Sequence, residues 1–166
     1  MSLIVLGLSG ALTHDSSAAL YVDGKLVAAA EEERFIRDKH AKNQMPLHAA
    51  RFCMEFAGVR PDDIDVVAFP FAKVSLLSPA RWHFAKRYWY APERSLDALI
   101  YGNRLYRRNV LRVRNLLAEL DIDWDKIDFD PVQHHIAHAS SAYHLSGFKE
   151  KTAILGIDGK GEYATT

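Results

Sequence analysis

The sequence is short of the features that mark secreted and membrane-bound proteins. It has a single cysteine, Cys53, in 166 residues, so no disulfide can form within the chain and a reducing compartment is favoured. No apolar run reaches the roughly 18 residues of a membrane span, and the N-terminus lacks the basic start and cleavage pattern of a signal peptide. We therefore expect a cytoplasmic protein with no membrane partner.

The chain also lacks an excess of charge of either sign. Its 21 Lys and Arg residues balance 21 Asp and Glu residues, so net charge gives no argument for a nucleic-acid partner. Residues 81–114 are locally basic and contain interleaved Trp and Tyr, which leaves a non-catalytic nucleic-acid-binding module as an alternative. The aspartates between Asp121 and Asp130 can neutralise this region internally. We do not expect nucleic acid to be a partner.

An apolar share of 49% indicates a globular domain with a core. The opening "SLIVLGLSG" is typical of a buried strand, and Asp23-Gly24 predicts a tight hairpin between the next two strands. A helix is expected over 47–57, ended by Gly58, and "DIDVVAFPF" predicts a strand that stops near Pro70. The fold class is therefore α/β, with three antiparallel strands first and helices packed on a mixed sheet.

The second half of the chain alternates helical and strand signals. Apolar residues spaced by threes and fours from Leu96 to Leu120 predict a long helix, with Ser95 as its N-cap. Residues 128–145 are expected to be helical, and 152–166 to form a strand that leads into a glycine turn. The predicted order is β-β-β-α-β-α-α-β. Since the first and last strands both enter glycine turns, two related lobes are a hypothesis.

Three histidines lie within five positions of the segment "QHHIAHA". On a helix His134 and His138 share a face, whereas His135 points elsewhere. Two neutral imidazoles suit iron, zinc or manganese, and a carboxylate normally completes such a site. Asp158, at the end of the last predicted strand, is the candidate carboxylate. A solvated histidine pair on an exposed helix explains the pattern equally well.

Two polar segments near the N-terminus are further candidates. The turn after the first strand contains His14 and Asp15, where a histidine can act as an acid, a base or a hydrogen-bond donor. The later charged run contains Arg34, Lys39 and His40, which could line a site for a polyanion or a carbonyl group. A capped turn and a solvated charge run are the alternatives.

Three motifs occur in order along the chain: "HDSSAALYVDGKLVAAAEEERFIRDKH", "HHIAHASSAYH" and "IDGKGEYATT". Together they resemble the N-terminal part of the O-carbamoyltransferases of nodulation and antibiotic biosynthesis. The resemblance covers roughly residues 3–48 and 131–166. It implies one lobe of an actin-like ATPase (ribonuclease H-like) fold, similar to the tRNA threonylcarbamoyl-transfer enzymes. Residues 1–166 would form this first lobe, with 151–166 opening the second.

The resemblance also implies an activity. In such enzymes a YrdC-like domain makes carbamoyl-adenylate from carbamoyl phosphate and ATP, and the carbamoyl group then passes to a hydroxyl of a small-molecule acceptor beside a metal. The family's metal ligands fall on His134, His138 and Asp158, with Fe(II) expected and Mn(II) or Zn(II) compatible. The family's opening histidine falls on His14, and we group Asp15 with it as catalytic.

The resemblance also bears on substrate binding. The expected substrate-binding residues are Arg34, Lys39, His40, Gly159 and Gly161. Because the sequence stops at Thr166, we expect an N-terminal fragment, inactive alone, that lacks its C-terminal lobe and YrdC-like domain and is prone to self-association. A fragment of a tRNA threonylcarbamoyl-transfer-like enzyme is the second enzymatic alternative.

Overall fold

The computed structural model describes residues 2–10, 14–101 and 103–158. The chain forms two compact units, each described by itself. The first comprises Met1–Phe69 and Arg107–Pro131, and the second comprises Pro70–Tyr106 and Val132–Thr166. None of the helices in the described part of the chain combines the length and apolarity that crossing a bilayer requires.

The described residues contain five strands and six α-helices. The strands are β1 Ile4–Ser9, β2 Ser17–Val22, β3 Lys25–Glu31, β4 Val66–Phe69 and β5 Asp128–Pro131. The helices are α1 Glu33–Ile36, α2 Leu47–Ala57, α3 Pro79–Arg87, α4 Pro92–Leu96, α5 Arg104–Glu119 and α6 His134–Leu145. Short 3-10 helices cover Lys39–Ala41 and Pro61–Asp63, and a π-helix covers Asp97–Tyr101.

The five strands form one mixed sheet in the first unit. Their order is β3-β2-β1-β4-β5, with β2 antiparallel to both β1 and β3. The pairs β1 with β4 and β4 with β5 are parallel. Strand order and direction are those of a ribonuclease H-like lobe, so the expected fold class is confirmed.

The hairpin between β2 and β3 forms as predicted. Asp23 and Gly24 have φ values of 50° and 76°, the left-handed pair that a two-residue turn between twisted strands requires. The Asp23 carboxylate accepts a hydrogen bond of 2.8 Å from the Leu3 amide, and the Leu3 carbonyl accepts one of 2.9 Å from the Asp23 amide. The turn is thereby tied to the chain just before β1.

Helix α2 packs on β2 and β3 through its small side chains. Ala49, Ala50 and Cys53 are fully buried, which lets the helix approach the strands closely. The helix ends at Gly58, whose φ of 65° allows the left-handed cap predicted for it. Burial raises the pKa of the Cys53 thiol, so this thiol behaves as a packed apolar group.

The long helix predicted from Leu96 to Leu120 forms as α5 from Arg104 to Glu119, but its predicted start at Leu96 and its N-cap Ser95 are wrong. Ser95 lies inside α4, and its hydroxyl is 2.8 Å from the carbonyl oxygens of both Ala85 and Tyr88. Ser95 therefore satisfies carbonyls near the end of α3 rather than an amide at the start of a new helix.

A buried arginine explains why the backbone widens after α4. Arg81 is only 3% exposed and donates hydrogen bonds to the carbonyls of Ala98 and Leu99, at 2.6 and 2.7 Å. Both carbonyls belong to the π-helix, and a π-helical turn is the rarer, wider form of helix. The apolar stripe is thus divided between two helical segments, and α5 begins only at Arg104.

Two further predictions about secondary structure are wrong. Residues 128–131, expected to be helical, form β5, which pairs in parallel with β4 along its whole length; Pro131 lacks the amide hydrogen that a helix interior uses. Residues 152–158 form no strand, and no neighbouring strand in the described part of the chain offers them backbone partners. Leu155 and Ile157 are instead 83% and 76% exposed.

Candidate functional site

In the second unit, three predicted metal ligands converge. Helix α6 presents His134 and His138 on one face, and their Nε2 atoms are 3.2 Å apart. The Asp158 carboxylate oxygen Oδ2 lies 2.9 Å from the Nε2 of His134 and 3.7 Å from that of His138. We call these three residues the metal-ligand group.

Two of the three distances in the metal-ligand group match those around a divalent metal. Metal–nitrogen bonds of about 2.0–2.1 Å at angles between 90° and 109° place neighbouring ligand atoms about 2.8–3.4 Å apart. The distances of 3.2 and 2.9 Å from His134 lie within this range, and the 3.7 Å between His138 and Asp158 is longer. Two imidazoles and one carboxylate with open positions are a donor set for Fe(II), Mn(II) or Zn(II). Since all three atoms carry lone pairs, their approach needs a cation or a proton among them.

The orientation of His134 is set by its neighbours. Its Nδ1 lies 3.2 Å from the Pro70 carbonyl oxygen, which can only accept, so Nδ1 donates and Nε2 is the nitrogen that faces the other two candidate ligand atoms. The Phe71 ring stacks on the imidazole at 4.8 Å between centroids. The His134 side chain is only 18% exposed. Sequence analysis missed these supports, because nothing in "PF" indicates that it contacts a histidine 64 residues later.

His135 lies outside the metal-ligand group. Its Nε2 is buried, and no hydrogen-bond partner is found for it among the described residues. A cavity of about 260 Å³ adjoins His135, His138 and Asp158, and its other walls are apolar residues of α6 and of segment 154–157. The cluster of three histidines therefore divides into two candidate ligands and one residue that lines the cavity.

In the first unit, a second group forms around Asp15. Its carboxylate oxygens lie 2.5 Å from the Nδ1 of His14 and 2.9 Å from the Nδ1 of His40. These hydrogen bonds, that of His40 first, lower the pKa of the Asp15 carboxyl. We call His14, Asp15 and His40 the base group. The sequence proposed all three as site residues but not the pairing of His40 with Asp15.

The other predicted substrate-binding residues are placed differently. Arg34 is exposed and forms ion pairs with Glu31 and Glu33 at 3.2 and 3.5 Å. Lys39 is exposed at the start of a 3-10 helix. Gly159 and Gly161 lie outside the described residues. Of the predicted substrate-binding residues, His40 thus belongs to the base group. The role of the other four in substrate binding stays a prediction.

Sequence analysis also missed the role of Glu32, which stands in the charged run. It is 2% exposed and accepts hydrogen bonds from the Ala49 amide at 2.8 Å and the His48 Nδ1 at 2.6 Å. Its carboxylate therefore caps the start of α2, where the helix dipole favours negative charge. The sequence does not indicate this contact, because nothing distinguishes Glu32 from its neighbours Glu31 and Glu33.

Besides Arg81, two more arginines of the basic region have internal contacts. Arg112 donates to the Asn43 carbonyl at 2.8 Å, and the Arg114 guanidinium lies 4.4 Å from the centroid of the Trp124 ring. Both residues therefore contribute to the packing of the first unit, which weakens the case for a continuous nucleic-acid-binding face.

Comparison with known proteins identifies the class of protein. Residues 4–166 match the family described as carbamoyltransferase N-terminus, and the chain belongs to this family. The recognition made from the three motifs is confirmed.

Particular relatives are similar along nearly the whole chain. The nodulation protein NolNO of Sinorhizobium fredii is 33% identical over 98% of the chain and 24% of its own length. The uncharacterized protein sll1178 of Synechocystis is 38% identical over 98% of the chain and 26% of its own length. The chain spans about a quarter of the length of these two relatives.

Solved structures whose backbone is similar to that of this chain include YeaZ from Pseudomonas aeruginosa. The TM-score is 0.42, with 14% identity over 87% of this chain and 50% of that chain. An uncharacterized protein similar to the peptidase YEAZ from Pseudomonas aeruginosa gives a TM-score of 0.44 and 14% identity over the same shares of the two chains.

Proposed function

We propose that the chain contributes the N-terminal part of an O-carbamoyltransferase. The reaction passes a carbamoyl group from carbamoyl-adenylate, made from carbamoyl phosphate and ATP, to a hydroxyl of a small-molecule acceptor. The observation that supports this best is the convergence of His134, His138 and Asp158 in a chain of the carbamoyltransferase N-terminus family.

The metal-ligand group would hold the divalent metal, with Fe(II) first and Mn(II) or Zn(II) as alternatives. When bound, the metal supplies Lewis-acid stabilisation of the charge that develops during transfer. The protein's own contribution is orientation: the Pro70 carbonyl and the Phe71 ring fix the plane of His134. Such support around a ligand raises metal affinity.

The base group would handle the proton of the acceptor hydroxyl. The acceptor oxygen forms a bond to the carbamoyl carbon, the bond from that carbon to the phosphate oxygen breaks, and AMP leaves with the bonding electrons. The hydroxyl proton passes to the Nε2 of His14. Arg34 and Lys39, exposed in the same segment as His40, would balance phosphate charge.

Metal binding is tested by calorimetric titration of the chain with Mn(II), Zn(II) and, under anaerobic conditions, Fe(II). His134→Ala and His138→Ala should each weaken binding by about 100-fold or more, since even outer-shell partners contribute about 10–100-fold. His144→Ala is the matched control, because His144 is exposed on the same helix but outside the metal-ligand group. Equal losses in all three variants would contradict the proposed site.

Activity is tested in the complete protein with labelled carbamoyl phosphate, ATP and a panel of hydroxylated acceptors. The expected result is ATP-dependent formation of a carbamate ester, lost in His134→Ala and kept in His144→Ala. Modification of tRNA adenosine without any carbamate ester would overturn the proposal in favour of threonylcarbamoyl transfer.

A further inference from the structure

The Asp15 carboxylate is shared between two imidazoles, and this sharing fixes their hydrogens. Asp15 is held ionised, because hydrogen bonds from His40 and His14 lower the pKa of its carboxyl. An ionised carboxylate only accepts hydrogen bonds, so the Nδ1 atoms of His14 and His40 both donate. A neutral imidazole has one N–H, so each ring in its neutral form presents a lone pair on Nε2.

The backbone that brings these side chains together is unusual. Asp15 and His40 have φ values of 57° and 67°, the left-handed region that residues other than glycine seldom occupy. The two residues are joined directly, since the Asp15 amide donates to the His40 carbonyl at 2.7 Å. The Glu33 carboxylate holds the other side of this loop by accepting from the His40 amide at 2.8 Å.

The packing beneath the base group reinforces the same arrangement. Ser16 is fully buried, and its hydroxyl donates to the Gln44 carbonyl at 2.7 Å. The Ser16 carbonyl accepts from the Glu32 amide at 2.8 Å. Asp15 thus extends from a fixed point, whereas the His14 side chain is 69% exposed. The Asp15 carboxylate therefore keeps the His14 ring in one orientation, and His40 holds that carboxylate in place.

We propose that His40 is a positioning residue. By donating to one oxygen of Asp15 it aims the other oxygen at His14, and it thereby holds His14 in the tautomer whose Nε2 can accept a proton. A carboxylate orients the base histidine of hydrolytic triads in the same way. The inference assigns His40 to the base group rather than to substrate binding, and it rests on the proposed function only for the identity of the proton that His14 accepts.

The test uses a matched pair of substitutions at position 40. His40→Gly removes the side chain without strain, because glycine adopts a φ near 67° freely. His40→Asn keeps a nitrogen donor where Nδ1 stood, and asparagine also tolerates this backbone region. Both variants should fold, so a difference between them reports on the hydrogen bond to Asp15.

The readout is the tautomer of His14 in the ¹⁵N-labelled chain, from long-range ¹H–¹⁵N correlation spectra at pH 8. The His14 signals are assigned by their absence in His14→Gln. The wild type should show hydrogen on Nδ1, His40→Gly should show a mixed population with hydrogen on Nε2, and His40→Asn should restore the wild-type pattern. An unchanged tautomer in His40→Gly, or an equal change in His40→Asn, would overturn the proposal.

A kinetic measurement in the complete protein separates this proposal from the proposed function. His40→Gly should lower kcat for carbamoyl transfer by about 10-fold or more, a part of the roughly 10²–10⁴-fold that acid–base catalysis supplies. KM for the acceptor should be little changed, and His40→Asn should be close to wild type. Equal rates in all three proteins would also refute positioning. If instead the complete protein transfers no carbamoyl group while the tautomer follows position 40, the proposed function fails and the positioning role stands.

Discussion

The chain builds two groups from the same residue types, two histidines and one aspartate, and uses them in opposite ways. In the metal-ligand group, two Nε2 atoms and a carboxylate oxygen approach one another. In the base group, a carboxylate lies between two Nδ1 donors. The first brings lone pairs together and so calls for a cation or a proton among them. The second closes its own hydrogen bonds and leaves Nε2 of each ring to act outward.

The backbones of the two groups differ as well. His134 and His138 stand one turn apart on the regular helix α6. His14 and Asp15 lie in the loop between β1 and β2, and His40 lies in a left-handed turn. The metal-ligand group therefore owes its two histidines to local helix geometry, whereas the base group depends on tertiary contacts between loops. The comparison predicts that damage to the scaffold of the first unit harms only the base group.

The largest effect is expected from Glu32, whose carboxylate accepts from the start of α2 and whose amide is bonded to Ser16. Glu32→Ala should lower the free energy of unfolding of the first unit by about 2–3 kcal/mol, because it leaves buried donors without a partner. Urea denaturation measures this loss. Glu31→Ala is the control, since the exposed pair of Glu31 with Arg34 is worth less than about 1 kcal/mol.

The same variant also tests whether the metal-ligand group is independent of the base group. Below its unfolding transition, Glu32→Ala should disturb the NMR signals of His14 but leave Zn(II) affinity within about twofold of wild type, because the metal-ligand group lies in the other unit. A large loss of Zn(II) affinity would break the distinction between a locally determined group and a scaffold-dependent one.

Metal should stabilise the protein through only one of the two groups. At a Zn(II) concentration of 100 times Kd, binding to the folded state adds about 2.7 kcal/mol, which differential scanning fluorimetry detects as a higher Tm. Asp15→Asn should keep this shift, and His138→Ala should lose it. If Asp15→Asn abolished the shift, the base group would have to be counted as a metal site, contrary to the proposed division.

A smaller, pH-dependent effect is expected from Asp15. Because the pKa of its carboxyl is lowered in the folded protein from a reference of 3.8, ionised Asp15 stabilises the fold above that pH, and the contribution is lost as pH falls through the lower folded value. The Tm of the wild type should exceed that of Asp15→Asn at pH 5, and the two should converge below pH 3.8. Asp125→Asn, at an exposed position, should show no such convergence, and a Tm difference for Asp15→Asn that persisted in acid would contradict the linkage.

Sequence reasoning succeeded where structure is local. The hairpin follows from Asp23-Gly24, whose left-handed conformations are intrinsic to the turn. The shared face of His134 and His138 follows from helical spacing alone. The third predicted ligand, Asp158, lies beside them although its segment forms no strand in the described residues. The expected strand is wrong, and the ligand role of Asp158 stays a prediction.

Sequence reasoning failed where a residue's partner is distant. Strand β5 exists because β4, about 60 residues earlier, offers parallel backbone pairing, and four residues of "DFDP" cannot reveal that. Ser95 has the composition of an N-cap, but its hydroxyl meets the carbonyls of Ala85 and Tyr88. His40 reaches Asp15 through a left-handed backbone conformation that few non-glycine residues adopt. In each case a contact with a residue distant in sequence determined the structure.

The burial of Cys53 makes the reactivity of its thiol a measure of local opening in the protein. Its sulfur lies 3.6 Å from the Ala18 carbonyl oxygen beneath α2, and no other thiol exists in the sequence. A thiol-reactive dye can therefore label the chain only when α2 separates from β2. The labelling rate thus reports how often this local opening occurs. Any ligand that stabilises the first unit against this opening would lower the labelling rate. Compounds could therefore be screened for binding without knowledge of the substrate and without an engineered cysteine.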